Sequence, residues 1–361
     1  MMADDGVYRL LAQKLNDMPH GFPAADGLEL QLLQWAFTPE EAAIALDVSM
    51  IPENAEAVAE RWGKPVAETT AILDKMAKQG QISAFKLGGE FKYVFMPILP
   101  GLQEGQLYRQ DRTPEQKTEF VHLWEAYLPS YSKNSSYAPA IARVVPVSVG
   151  VKSEAKAHRL EDVHQMVDDA TSVWLMSCIC REERGYVNKR CAHSAEVCLL
   201  MNAEEDSFEK LPQVGRAITK DEAHRILKKT EAEGLVHQTW NADSPAMYFI
   251  CNCCPCCCAL LRPMLEFGQA HAAESDFFAR VDMDHCVCCG DCLNGCVVHA
   301  ISDGDGVYAV DEGRCLGCGV CLVCCQVEAI RLVRKPDDAQ SVPLAPFEWA
   351  VQRAMNRPND L

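Results

Sequence analysis

A four-cysteine pattern that occurs twice near the carboxyl end constrains this chain more than any other feature. The spacing C-x2-C-x2-C-x3-C begins at Cys286 and returns at Cys315, 29 residues later. In this spacing three thiolates surround one iron-sulfur cluster, and the fourth reaches across to the other cluster. We therefore expect two 4Fe-4S clusters. The predicted ligands of the first are Cys286, Cys289, Cys292 and Cys325, and those of the second are Cys315, Cys318, Cys321 and Cys296.

The residues around this pattern predict a folding unit of their own. Ala300-Ile301 and Ala329-Ile330 begin short strands at equivalent positions, which favours a two-fold β-α-β repeat. Over residues 281–335 the sequence resembles the bacterial-type two-cluster ferredoxins. It departs from them at Val297 and Gln326, where that family usually has proline.

The duplicated spacing also weighs against other roles for these thiols. Zinc is the alternative for an isolated C-x2-C pair, but eight cysteines in this register favour iron-sulfur clusters. Two further thiols, Cys288 and Cys324, are expected to be small buried side chains rather than ligands.

A second concentration of cysteine lies in the middle of the chain. Six of its members fall within eight residues, where unligated thiols would repel each other as thiolates and oxidise readily. The alternatives are scattered structural thiols, one structural zinc, one cluster or two further cubanes, a single cluster of unusual nuclearity, or a site partly open to substrate. The residue pattern leaves them open. The ten candidate ligands are Cys178, Cys180, Cys191, Cys198, Cys251, Cys253, Cys254, Cys256, Cys257 and Cys258.

Two other residues are candidates for tuning a cluster. Arg181 directly follows Cys180, and positive charge beside thiolates lowers their pKa and stabilises an anionic cluster. His285 precedes Cys286 and could act on the first cluster through its N–H.

Charge and composition exclude several classes of function. The chain carries 34 Lys and Arg against 51 Asp and Glu, a net charge of −17 that makes nucleic acid an unfavourable main partner. No apolar run approaches the roughly 20 residues of a membrane span, and no secretory signal pattern opens the sequence. Glycine-rich nucleotide or flavin motifs are missing from it. These patterns predict a cytoplasmic protein.

The first hundred residues contain no cysteine and must fold on apolar packing alone. Helices are predicted near 6–17, 39–47, 53–61 and 65–79, followed by strands at 81–87 and 91–96 around Gly88-Gly89. Helices followed by a two-stranded ribbon favour a winged-helix-like domain. It carries eight Lys or Arg against fourteen Asp or Glu, so we expect it to dock a protein rather than DNA.

The predicted fold class is α+β. After the winged-helix-like domain at 1–100 come a connecting segment at 101–151, an α/β cysteine-rich middle domain at 152–280, the two-cluster ferredoxin domain at 281–335 and a tail at 336–361. In the middle domain, helices are expected near 161–170 and 220–233, and strands near 172–177 and 234–239.

Several motifs together resemble a group of iron-sulfur proteins of anaerobes, the 4Fe-4S dicluster proteins. The resemblance covers nearly the whole chain and implies anaerobic redox metabolism. Pro255 departs from the group's pattern, where glycine is expected. The motifs that carry it are Gly21-Phe22-Pro23-Ala24, Phe37-Thr38-Pro39-Glu40-Glu41-Ala42, Cys178-Ile179-Cys180-Arg181, Cys251-Asn252-Cys253-Cys254 and the duplicated cysteine set.

These patterns favour an electron-transfer protein that exchanges low-potential electrons with a partner oxidoreductase, because cluster ligands abound and substrate-binding motifs do not. One alternative is a reductase whose middle domain binds substrate at an iron-sulfur site. The other is a redox-sensing winged-helix regulator. Acidic side chains of the ferredoxin segment would steer a basic redox partner toward it, although the ordinary solvation of a protein surface explains them equally well. They are Asp282, Asp284, Asp291, Asp303, Asp305, Asp311 and Glu312.

Overall fold

The protein is described by a computed structural model that covers residues 5–147, 158–244, 247–269, 273–341 and 343–357. Helices and strands are mixed along the chain, and its largest sheet has seven strands. Within these ranges, no helix combines the length and the apolar character needed to cross a membrane.

The chain begins with five helices and a hairpin. Four of these helices and both strands of the hairpin lie close to their predicted positions. Helix α3 begins with a capping box, in which Thr38 and Glu41 bond each other's backbone N–H groups. Gly88 and Gly89 both have positive φ, as the tight turn of the hairpin requires. The helix over Leu28–Ala36 was not among those predicted. The elements are α1 (Asp5–Asp17), α2 (Leu28–Ala36), α3 (Pro39–Asp47), α4 (Ala55–Trp62), α5 (Val66–Lys78), β1 (Ser83–Leu87) and β2 (Glu90–Val94).

Two more helices, α6 (Gln103–Tyr108) and α7 (Pro114–Ser135), belong to the same hydrophobic core. Helix α7 buries Phe120, Trp124 and Tyr127 in it. Residues 101–151, predicted as a connecting segment, therefore supply side chains to the hydrophobic core of the first hundred residues. The apolar run over residues 142–151 favours an extended chain, and the structure has a strand at its start; residues 148–151 lie outside the described ranges.

The middle of the chain forms the seven-stranded sheet, in the order β6-β4-β5-β8-β7-β3-β9. Neighbouring strands are antiparallel except β3 and β9, which are parallel. Strand β8 lies between β5 and β7, so the cysteines at its end lie near Cys198 of β5. In chain order the elements are β3 (Ala142–Val145), α8 (Val163–Asp169), β4 (Ser172–Ser177), α9 (Ile179–Tyr186), β5 (Glu196–Asn202), β6 (Gly215–Ile218), α10 (Lys220–Ala232), β7 (Val236–Trp240), β8 (Met247–Cys253), α11 (Arg262–Glu266) and β9 (Ala273–Glu274).

The β1–β2 hairpin packs on this middle region. Phe85 shares an apolar cluster with Phe208, and the backbone N–H groups of Gly88 and Gly89 donate hydrogen bonds to the Glu204 carboxylate. Three aromatic side chains of the hairpin and its end, Phe85, Tyr93 and Phe95, are buried. They pack inside the protein and are not exposed for contact with a partner.

The carboxyl-terminal unit is duplicated in backbone conformation as well as in sequence. Antiparallel pairs join β10 to β13 and β11 to β12. Left-handed residues recur 29 positions apart at Gly290 and Gly319, which begin the two short helices, and again at His299 and Glu328. The elements are β10 (Phe277–Val281), α12 (Asp291–Gly295), β11 (Ile301–Asp303), β12 (Tyr308–Val310), α13 (Val320–Cys324) and β13 (Ile330–Arg334).

The predicted tail contains a helix, α14 (Pro346–Met355), that packs on the opening part of the chain. Trp349 is 1% exposed, and its indole N–H donates a hydrogen bond to the Ala140 carbonyl at 3.0 Å. Arg353 is fully buried and donates to the carbonyls of Pro19, Tyr137 and Pro139.

Candidate metal centres

Two cavities in the carboxyl-terminal unit each collect four of the predicted ligands. The first is lined by Cys286, Cys289, Cys292 and Cys325, together with Cys288. The second is lined by Cys315, Cys318, Cys321 and Cys296. The structure thus brings the fourth cysteine of each copy to the other copy's cavity, as the spacing predicts.

Backbone N–H groups point at the sulfur atoms in both cavities. Ala300 N–H donates to Cys296 Sγ at 3.2 Å, and Ala329 N–H donates to Cys325 Sγ at 3.3 Å, at equivalent places in the repeat. Ala279 N–H bonds Cys315 Sγ at 3.4 Å. Such bonds stabilise thiolates and an anionic cluster, so the residues present fit the group that the spacing implies.

One expectation about this unit changes with the structure. Cys288 is exposed rather than buried; it lies in a turn with positive φ, and its thiol donates to the Gly306 carbonyl at 3.2 Å. The His285 ring is 73% exposed, and its Nδ1 hydrogen-bonds to the Asp282 carboxylate at 3.0 Å. Its action on the first cluster through an N–H stays a prediction.

Six of the ten middle cysteines form a closed ring of thiols. Each thiol acts on the pKa of two others in the ring, and four of the six are buried. Strand β8 supplies Cys251 and Cys253, and β5 supplies Cys198. Cys178 directly precedes α9, Cys180 lies within it, and Cys258 comes from the loop after β8. In ring order the residues are Cys178, Cys180, Cys258, Cys253, Cys251 and Cys198.

The pKa values alternate around this ring. Hydrogen bonds from Cys180 and Cys198 hold the pKa of Cys178 well below its usual value, and bonds from Cys180 and Cys253 do the same for Cys258. Bonds from Cys198 and Cys253 lower the pKa of Cys251 to about 6. Six cysteine sulfurs gathered in this way are a donor set suited to a thiophilic metal.

The remaining four middle cysteines form a separate group, the tetrad. The Sγ atoms of Cys191, Cys254, Cys256 and Cys257 all lie within 4.8 Å of one another. A metal ion could bind at their centre. Cys254 and Cys257 are buried, whereas Cys256 is exposed.

Arg181 lies between the two groups. It is fully buried, and its guanidinium donates to the carbonyls of Ser194 and Asn252, each at 2.9 Å. Burial alone would lower the pKa of Arg181, but the thiolates of Cys178 and Cys254 outweigh it and raise that pKa. One cation thus offsets negative charge in both the ring and the tetrad.

Sequence reasoning missed other side chains around the ring. The Gln238 amide contacts Cys258 Sγ at 3.7 Å, from the neighbouring strand β7. Burial, and then the ring's thiolates, raise the pKa of Tyr108, whose hydroxyl donates to the Ser177 carbonyl. Burial, with a smaller effect of Cys251 and Cys258, raises the pKa of Glu104 to about 7. No motif marks these residues, because they reach the ring only through tertiary packing.

Three residues outside the cysteine groups, His158, Glu161 and Asp276, also carry side chains that could bind a metal ion. Arg143 donates to Asp276 at 2.8 Å, and Arg334 forms paired bonds with Glu161. Two arginines already neutralise the two carboxylates, so this group is an ion-pair network that fastens β10 and β13 to the middle region.

Compared with family models, with curated proteins and with solved structures, the chain matches none. The case for its function therefore depends on the geometry of its cysteines.

Proposed function

We propose that the protein is an iron-sulfur electron-transfer protein whose two carboxyl-terminal clusters exchange electrons between a partner and the middle domain. The continuous packing between the second cavity and the thiol ring carries this proposal. Cys253 and Cys258 of the ring share one apolar cluster with Leu261, Leu316 and Val320. Cys296, Cys315 and Cys318 pack against the same cluster.

Each carboxyl-terminal cavity would hold a 4Fe-4S cluster, which supplies a site for accepting and releasing one electron at a time. The chain's own part is to hold the ligands, exclude water and direct N–H groups at the sulfurs. Cys292 and Cys321, one from each set, lie buried in a single apolar cluster. The two cavities are therefore neighbours, and the ring adjoins the second of them.

The first cavity is the favoured entry point. Cys289 is exposed there, and Val287 beside it is 63% exposed. Exposed carboxylates of Asp284, Asp303 and Asp305 lie on the same unit. An apolar patch with acidic surroundings suits transient docking of a redox protein with a basic face.

The regulator alternative is disfavoured by the hairpin. A winged helix that reads DNA presents its ribbon to the duplex, but here the turn is bonded to Glu204 and Phe85 is buried against Phe208. The reductase alternative keeps one supporting observation. The ring has two thiols more than a cubane requires, and Glu104 and Tyr108, two proton-bearing groups, lie near it.

Electron flow through the second cavity tests the proposal. Cys318→Ser removes one ligand, and we expect reduction of the middle-domain centre by a low-potential donor to slow at least about tenfold, since the path is interrupted. Freeze-quench electron paramagnetic resonance of anaerobic full-length protein measures this rate. Cys324→Ser, a cysteine outside both ligand sets that lines neither cavity, is the matched control. An unchanged rate in Cys318→Ser would contradict the proposed route, and turnover of a substrate without any partner would favour the reductase.

A further inference from the structure

Among the residues that the structure describes, the tetrad is the cysteine group whose sulfurs lie closest together. Cys191 Sγ and Cys254 Sγ are 3.7 Å apart, and Cys256 Sγ and Cys257 Sγ are 3.9 Å apart. All four lie within 4.8 Å of one another. They come from two loops, Cys191 from the one between α9 and β5 and the other three from the one that follows β8.

These separations decide how many metal atoms fit. Four sulfurs at about 2.3 Å from one tetrahedral ion are about 3.8 Å apart, close to the observed values. The ligand sulfurs of a 4Fe-4S cubane enclose a much larger core and are separated by about 6 Å. The tetrad is therefore the size of a single ion and too small for a cubane.

We propose that Cys191, Cys254, Cys256 and Cys257 bind one zinc ion as a closed tetrathiolate site. Four thiolates leave no position open for substrate, which is the pattern of structural zinc. The assignment is independent of the electron-transfer function, because it concerns thiols that the proposed route does not use.

The surroundings suit the negative charge of such a site. Four thiolates around a divalent ion carry a net charge of −2. The buried guanidinium of Arg181 attracts the Cys254 thiolate electrostatically and so offsets part of this charge. The backbone N–H of Cys257 donates a hydrogen bond to the Cys254 carbonyl at 3.3 Å, within the loop that carries three of the four thiols. Zinc sites are commonly supported by such hydrogen bonds from the surrounding chain.

The ion would also organise the thiol ring. Cys253 and Cys258 belong to the ring and flank the tetrad's three clustered members in sequence. Fixing the loop between them by a metal tie to Cys191 holds both ring thiols in place. Zinc is redox-inert, so the tie would not change as electrons pass.

Metal analysis of the anaerobic full-length protein, supplied with both iron and zinc, tests the inference. We expect about one zinc per chain, and zinc K-edge absorption should show four sulfurs at about 2.3 Å. Cys256→Ala should lose the zinc while retaining the iron of the carboxyl-terminal cavities. Cys256→His should retain zinc, because imidazole replaces thiolate in such sites. Cys288→Ser, the matched exposed cysteine, should leave the zinc content unchanged.

Three results would overturn the assignment. One is a mononuclear ferric tetrathiolate spectrum in place of zinc, and another is intact wild-type protein with no zinc. The third is a Cys256→His variant that lacks zinc although its iron content and circular dichroism match those of the wild type.

Discussion

At the scale of single residues, burial controls where charge can exist in this protein. His20 is 8% exposed and lies beside Trp349, with their ring centroids 5.0 Å apart. Burial, followed by the nearby Arg353 cation, lowers the pKa of His20 to about 3. The neutral imidazole is therefore the form that holds α14 against the opening part of the chain.

A pH prediction follows from His20. Between about pH 6.5 and 3 the unfolded chain binds a proton that the folded chain refuses, so stability falls as the pH falls through this window. From pH 7 to 5.5 this residue should account for a loss of about 1 kcal/mol. His20→Phe keeps a ring beside Trp349 but does not titrate, so chemical denaturation should show a smaller loss for the variant. Equal losses for variant and wild type would mean that folding does not lower the pKa of His20.

At the scale of elements, the ligand loops depend on backbone conformations that only glycine accepts easily. Gly317 lies between Cys315 and Cys318, has φ of +63°, and a Cβ there would lie 2.2 Å from the Phe277 carbonyl oxygen. Gly317→Ala should displace this loop and lower the iron content of the second cavity, with unfolding easier by about 1–3 kcal/mol. Gly304→Ala is the control, because the nearest atom to its Cβ would be 3.6 Å away. Iron content and denaturation midpoints of both variants measure the effect, and similar losses in the two would contradict it.

Some elements and cysteine groupings could be predicted from the sequence, and others could not. Helix α3 was predictable because Thr38 and Pro39 set its start, and the 29-residue repeat predicted which cysteines share each carboxyl-terminal cavity. The division of the ten middle cysteines was not predictable. It depends on β8 lying between β5 and β7, and long-range strand pairing leaves no local signal. Cys253 and Cys254 are adjacent in sequence yet belong to different groups, as the alternation of side chains in an extended chain allows.

At the scale of the whole molecule, the cysteine groups form a series. The first cavity has an exposed cysteine, the second lies against the middle region, and the ring is largely buried beyond it. The opening part of the chain joins this assembly through the hairpin and through Ile179, which belongs to its core. The central claim of the proposed function is that this series serves as an electron route from the surface to a buried thiol site.

Iron and acid-labile sulfide analysis of the intact chain, purified anaerobically and combined with Mössbauer spectroscopy, tests that claim most directly. The two carboxyl-terminal cavities predict about eight irons and eight sulfides in 4Fe-4S form. The thiol ring predicts iron beyond those eight, lost selectively in Cys253→Ser. Protein whose iron does not exceed eight, or that holds zinc alone, would contradict a route that ends in the middle domain.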